Sequence, residues 1–295
     1  MKSASMTVRQ KRTNRIAWLI LAPFIIYYTI FSVLPLIGTF FISFTGWTGV
    51  GYNFGSLSFN NYLQIFRDPD YFRILLNTFL LGAVILVLNF GLGFLLGYLF
   101  SKPTKVAAFF RTVWYFPVVV SMAVISLIFN TMLNPVNGSL NVLIELMGGE
   151  PVMWQQSTFW MFFWIIFLVV WKGLGGVVIL FVAGFSSISK EMLEAADLDG
   201  ATGYKRMWYI VIPSMKNLMI YVIITSLMGI FSIFEPVMFI SGGGPRGTTN
   251  VIMFQIYNEA FQNFNMGMSS ALSVLVMVLT MGLSFANMKM LNISL

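Results

Sequence analysis

EMLEAADLDGATGYKRMWYIVIP, residues 191–213, interrupts a chain that is otherwise mostly apolar. Of the 27 charged residues among 295, seven lie between Lys190 and Arg206. Ser189 is an N-cap residue type, and Glu191 in the first turn complements the positive end of a helix starting there. Met192, Ala195, Ala196 and Asp199 follow at three- and four-residue spacing, and Asp199–Gly200 supplies a stop. The pattern predicts a helix, a glycine turn and a second helix from about Ala201 to Ile210. Ala195 and Ala196 give the first helix a face with little bulk, and Glu194 at its edge can take an Arg from a partner. From these residues alone, the stretch is either a solvated amphipathic connector or a docking surface.

The residues around it decide the solvent. The chain is 58% hydrophobic, 17% aromatic and 9% charged, with a mean hydropathy of +0.84. Soluble domains carry roughly a quarter charged residues, and so few charges cannot cover a chain of this length with a polar exterior. The bilayer must cover it instead. The absence of both cysteine and histidine removes thiol nucleophiles, disulfides, Cys/His metal sites and His-based acid–base chemistry. Neither a catalytic constellation nor a metal site is expected.

A spanning helix needs about 20 mostly apolar residues, which predicts six spans at about 16–44, 74–100, 113–133, 159–185, 217–240 and 267–288. The first contains Pro23 and Pro35 and is expected to be a retained, tilted or Pro-bent helix. Lys and Arg sort the connections. Lys2, Arg9, Lys11, Arg12 and Arg15 precede the first span, Lys102, Lys105 and Arg111 lie between the second and third, Lys190, Lys205, Arg206 and Lys216 follow the fourth, and Lys289 follows the sixth. Arg67, Arg73 and Arg246 alone fall on the other side. The positive-inside rule then places both termini and residues 189–213 in the cytoplasm. The net charge of +7 is thus a topology signal, not a sign of a nucleic-acid partner. No connection is long enough for a separate soluble domain, so residues 1–295 are expected to form a single transmembrane domain. No P-loop motif is present, and GLGG at Gly173–Gly176 lacks the Lys that would follow.

The charged stretch resembles the coupling motif of binding-protein-dependent ABC importers: EAA, three residues, Gly, nine residues, then Ile-x-Leu-Pro. Here Glu194-Ala195-Ala196 stand three residues before Gly200, nine more lead to Ile210, and Ile212-Pro213 close the motif. Ile212 replaces Leu, and Ser189 stands where the family often has Pro. FNNYLQIFRDPDYFRILLNTF (59–79), FRTVWYFP (110–117), NGSLNVLIELMG (137–148), ISGGGPRGTT (240–249) and YNEAFQNFNMGMSSAL (257–272) are similar to strings of the carbohydrate (MalF-like) permeases. The resemblance implies an all-α integral membrane fold with six spans and a cytoplasmic helix-turn-helix that couples to an ABC ATPase dimer through Glu194, Ala195, Ala196, Asp199, Gly200, Ala201 and Pro213. It also implies a second, MalG-like permease, an extracytoplasmic substrate-binding protein, a sugar or oligosaccharide as substrate, a bacterial cytoplasmic-membrane location, and ATP and Mg held by the partner ATPase with no cofactor in this chain.

Two ionisable residues fall within or near the spans, Lys172 in WKGLGG and Glu235 in FSIFEP. Such groups are costly in hydrocarbon and by default pair with each other or line a cavity. Beside Trp171 and the glycines from Gly173 onward, Lys172 is expected at a helix break facing a passage. Phe231 and Ser232 precede Glu235 with the aromatic and hydroxyl groups that a sugar site needs, although Lys172 also suits a structural ion pair. Asn89 is expected to join helices by a hydrogen bond. An ion-coupled secondary transporter, the rival reading, leads one to expect inverted repeats and several intramembrane acids.

Overall fold

The computed structural model describes residues 8–51 and 54–290, with side chains from 14 to 286, and every regular element among them is helical. Helix α1 (Val8–Tyr28) continues through a π-helical turn, Thr29–Val33, into α2 (Leu34–Ile42). Pro35 lacks the N–H that would bond the carbonyl of Phe31, so the ladder rearranges at that point. Then follow α3 (Asn60–Arg67), α4 (Pro69–Phe100), α5 (Lys105–Val119), α6 (Met122–Met132), α7 (Ser139–Leu146) and α8 (Thr158–Ser186). The chain continues with α9 (Lys190–Leu198), α10 (Gly203–Arg206), α11 (Ile212–Ser214), α12 (Lys216–Ile230), α13 (Ile252–Tyr257) and α14 (Met266–Met290).

Among the described residues, four helices are long and apolar enough to cross a membrane: Asn14–Ile42, Pro69–Phe100, Thr158–Ser186 and Met266–Ala286. Two further candidates are broken. Lys105–Val119 and Met122–Met132 meet at 89°, and Gly203–Ser214 and Lys216–Ile230 at 69°, giving up to six spans if each bent pair counts as one. The basic residues at the extreme termini lie outside the residues whose side chains are described.

Three expectations about continuity are corrected. The third apolar segment is not one helix over 113–133. It starts at Lys105, capped by the Thr104 hydroxyl, and bends at Val120 and Ser121, both extended. Pro117 followed by three β-branched valines is a poor place to continue a helix. The fifth segment is not helical throughout 217–240, because α12 ends at Ile230 and helical backbone resumes only at Glu235, leading into a π-helical turn, Val237–Ser241. Residues 231–234 are non-helical, and Pro236 fits the start of the helical turn that resumes at Glu235. Conversely, α8 runs unbroken through Lys172 and the GLGG glycines.

Those glycines serve packing. A Cβ on Gly175 would lie 2.1 Å from the Trp114 carbonyl oxygen, so the missing side chain is what lets α5 approach α8. On α4, a Cβ at Gly93 would meet Val177 at 2.5 Å and one at Gly97 would meet Phe181 at 2.4 Å, which sets α4 lengthwise against α8. Small residues permit such close helix contact where lipid supplies no hydrophobic drive. Leu81 and Ile85 of α4 meet Ile165 and Val170 of α8 in one core cluster, while Phe181 joins Val211, Met215 and Val222 in another. The outer surface stays apolar. The hydrophobic window of Asn14–Ile42 has no buried residue, and Trp18 and Phe24 are 65% and 66% exposed, as a lipid-facing or partner-facing helix requires.

Candidate functional site

The stretch at residues 189–213 folds as a helix, a turn and a second helix. The Ser189 hydroxyl accepts from the Met192 amide at 3.2 Å and caps α9. Gly200 ends α9 with φ +75°. The Ala201 amide donates to the Ala196 carbonyl at 2.8 Å and the Gly200 amide to the Asp197 carbonyl at 3.1 Å, the two bonds of a Schellman stop. The second helix starts later than expected, at Gly203, and passes through a π-helical turn at Met207–Val211 before Pro213 enters α11.

One face of this unit is anchored. Leu193 and Met207 pack against the cluster of Phe181, Val211, Met215 and Val222, so both short helices rest on α8 and α12. Across the turn, Arg206 Nη1 donates to both carboxylate oxygens of Asp197 at 2.9 Å. This ion pair escaped the sequence reading because its members sit on different helices. The other face is bare: Glu194, Ala195, Asp199 and Gly200 are exposed and only Ala196 is buried. Leu198 is 90% exposed, Tyr204 75% and Tyr209 74%. Apolar side chains displayed among charges in this way suit a protein partner.

At membrane depth the expected residues separate. Lys172 Nζ donates to the Val118 carbonyl at 2.9 Å, one of the last carbonyls of α5 left free by the bend. A lysine there also complements the negative end of the helix dipole. Lys172 makes no ion pair with Glu235 among the described residues. Trp171 instead lines an apolar groove of about 480 Å³ with Leu88, Trp114, Phe167 and Val170. Gly173 is exposed and faces the Asn89 amide. Asn89 is buried, and its Oδ1 has no hydrogen-bond partner among the described residues, so the expected interhelical bond through that oxygen is not made. Near the second break, Phe231 is 4% exposed in the core with Ile74 and Leu272, edge-on to Phe79. Ser232 is exposed and Glu235 half-buried.

The ISGGGPRGTT string forms a loop pinned by distant residues. Asn77 of α4 donates to the carbonyls of Thr248 and Asn250, and the Thr249 hydroxyl, itself buried, donates to the Gly244 carbonyl. Arg246 adopts φ +53°, with glycines on the same side of the map at 242, 243 and 247. The sequence offered the glycines as a signal of such backbone, but not the side chains that hold it.

Residues 89–288, which include the helix-turn-helix and its glycine stop, match the model of the binding-protein-dependent transport system inner membrane component. The chain belongs to this family. It is 30% identical over 278 residues to a probable ABC transporter permease protein, YurN, of Bacillus subtilis, covering 93% of this chain and 95% of that protein. It is 29% identical over 280 residues to the multiple sugar-binding transport system permease protein MsmF of Streptococcus mutans, covering 93% and 94%. The sn-glycerol-3-phosphate transport system permease protein UgpA of Agrobacterium fabrum is 28% identical over 270 residues, covering 90% and 91%. In fold, the chain is similar to one in the crystal structure of a bacterial alginate ABC transporter in complex with an alginate pentasaccharide-bound periplasmic protein. That match has a TM-score of 0.82 at 21% identity and covers 95% of this chain and 94% of that one. Family membership makes the protein a multi-pass permease subunit of an ABC importer, not an enzyme, and sets aside the ion-coupled secondary transporter.

Proposed function

We propose that this chain is one half of a permease pair that imports a sugar or oligosaccharide handed over by an extracytoplasmic binding protein. The observation that carries this is the anchored helix-turn-helix at residues 189–213, with an exposed Glu194–Ala195 edge and a left-handed Gly200. The unit is braced on the membrane helices and bare on its other face, the form of a lever by which a soluble subunit can move the bundle. A MalG-like second permease presents the equivalent lever, and ATP with Mg binds in the ATPase dimer beneath both. Closure of that dimer draws the two levers together and turns the pair from inward-open to outward-open. Substrate enters from the binding protein, and reopening releases it inside.

In this reading the chain makes six spans as a single domain, each bent pair counting as one, with both termini and the helix-turn-helix in the cytoplasm. The distribution of Lys and Arg supports that orientation. Trp171, Lys172, Gly173, Ser232 and Glu235 line the passage, while Phe231 is withdrawn into the core with Ile74 and Leu272. A carbohydrate substrate is supported by the multiple-sugar permease among the relatives.

The experiment is reconstitution of the complete transporter with its cognate ATPase, second permease and binding protein. The expected result is ATP hydrolysis stimulated by the sugar-loaded binding protein, together with sugar uptake. A complex that assembles without this chain, or hydrolysis indifferent to the binding protein, would overturn the reading. Reporters placed within 102–111 should read cytoplasmic, and within 137–158 external.

A further inference from the structure

Tyr71 and Tyr98 lie near opposite ends of α4. Tyr98 lines a cleft with Gly203 and Arg206 of the helix-turn-helix, whereas Tyr71 donates to Glu259 at 3.2 Å. Glu259 sits in a π-helical turn, Asn258–Gln262, and is only 6% exposed. Its Oε1 accepts from Tyr71 and, at 2.8 Å, from Gln255 Nε2. Its Oε2 accepts no hydrogen bond, and no Lys or Arg pairs with it, among the described residues.

The neighbouring amides have their orientation fixed by this carboxylate. Gln255 must turn its nitrogen to Glu259, so its oxygen takes Asn250 Nδ2 at 2.7 Å. Asn250 Oδ1 is then left buried and without a donor among the described residues. Glu259, Gln255 and Asn250 line one polar cavity of about 410 Å³, edged by Asp68, Asp70, Arg73 and Arg246, although Asn250 Oδ1 itself is closed off from solvent. Arg73 is committed to Asp70 at 3.1 Å, and Arg246 points its exposed side chain to neither acid closely enough to pair.

A carboxylate nine-tenths buried and without a counter-ion is costly, and so is an orphan amide oxygen. A cation with N–H donors that enters the cavity answers the first. We infer that this cavity receives a guanidinium or ammonium side chain of the extracytoplasmic binding protein. The inference rests on the permease reading above, which puts this end of α4 outside. The described acids form no group of three able to hold a metal ion. Phe66 and Phe72 flank the acidic edge in sequence, and Phe261 and Phe264 follow Glu259, with exposures of 76%, 70%, 59% and 60%. Exposed aromatics beside a desolvated charge have the composition of a protein–protein contact.

Glu259→Gln removes the charge and keeps an oxygen for Tyr71 and Gln255. In the reconstituted transporter this variant should bind the binding protein roughly tenfold more weakly or worse, with a flatter salt dependence. Hydrolysis without the binding protein should stay at the wild-type level. A parallel scan replaces each surface Lys and Arg of the binding protein by Gln against the wild-type permease, so the test survives if Glu259→Gln fails to assemble. One such cation should show the same loss, non-additive with Glu259→Gln. If no cation matters in the scan, or if Glu259→Gln assembles and leaves affinity and salt dependence unchanged, this inference falls while the permease function stands. If the wild-type complex ignores the binding protein altogether, both fall.

Discussion

Arg206 holds both carboxylate oxygens of Asp197 at 2.9 Å, tying the two short helices together across the Gly200 turn. The side chains are 34% and 46% exposed, so solvent screens the pair. A pair this open is worth at most about 1 kcal/mol. Asp197→Asn or Arg206→Gln should therefore leave assembly intact and lower stimulated hydrolysis by no more than about fivefold. A double-mutant cycle on ATPase affinity should return a coupling under about 1 kcal/mol. A much larger coupling would mean that the pair is dehydrated against the partner.

The turn itself should matter more than the bridge. Gly200 has open space around its missing Cβ but a φ of +75°, so strain, not crowding, sets the cost of replacing it. Left-handed backbone costs an ordinary residue about 1–2 kcal/mol, and Asn least among them. Gly200→Leu should weaken ATPase copurification about tenfold or more, because the side chain also stands on the exposed face. Gly200→Asn should keep most of it. Equal behaviour of the two variants would show that the turn geometry is not what the partner reads.

Gly175 and Gly176 offer an internal control on α8. A Cβ on Gly175 meets the Trp114 backbone at 2.1 Å, and backbone cannot swing aside, whereas one on Gly176 meets nothing within 4 Å. Gly175→Ala should cost about 1–3 kcal/mol of stability through overpacking. Gly176→Ala should be neutral or slightly stabilising. Thermal unfolding of the purified membrane complex separates them, and equal melting temperatures would show that α5 shifts freely on α8.

What the sequence made legible follows from which forces act locally. Apolar length located the membrane segments, and the Ser189 cap and the Gly200 stop could be read because each acts within one helical turn. The breaks after Val119 and Ile230 were hidden, since hydropathy averages composition and is blind to chain direction. Pro117 and Pro236 were the available signals. GLGG suggested a break because glycine weakens an isolated helix, but packing against Trp114 overrides propensity. Glu259 attracted no notice because its burial depends on Tyr71, 188 positions away.

Lys172 is expected to show two separable roles. Lys172→Met leaves the half-buried Val118 carbonyl without its donor, at about 1.5–3 kcal/mol for a lost hydrogen bond from a charged group. The 89° bend that this bond supports should loosen, and the melting temperature of the complex should fall. Lys172→Gln keeps an N–H for that carbonyl while removing the charge, and should recover most of the stability. If the charge also faces the passage, both variants shift the KM for uptake alike. An unaltered KM in Lys172→Gln would assign Lys172 wholly to holding the end of α5.

Glu194 is exposed and makes no ion pair among the described residues, so reversing its charge breaks nothing inside the chain. Glu194→Lys should insert, fold and join the second permease normally. Its effect should appear only where the ATPase docks, since a charge placed against a basic residue of the partner costs about 2–5 kcal/mol. Glu191→Lys is the matched control: it is equally exposed one helical turn earlier, and its loss of dipole complementarity costs α9 under about 1 kcal/mol. Copurification of the ATPase with the membrane subunits, followed by stimulated hydrolysis, should drop steeply for Glu194→Lys and slightly for Glu191→Lys. Raising the salt should narrow the gap between them if the contact is rim-exposed and leave it intact if the contact is buried. Equal, near-wild-type assembly of both would reduce residues 189–213 to a connector between membrane segments, and the lever would have to be sought elsewhere on the cytoplasmic face.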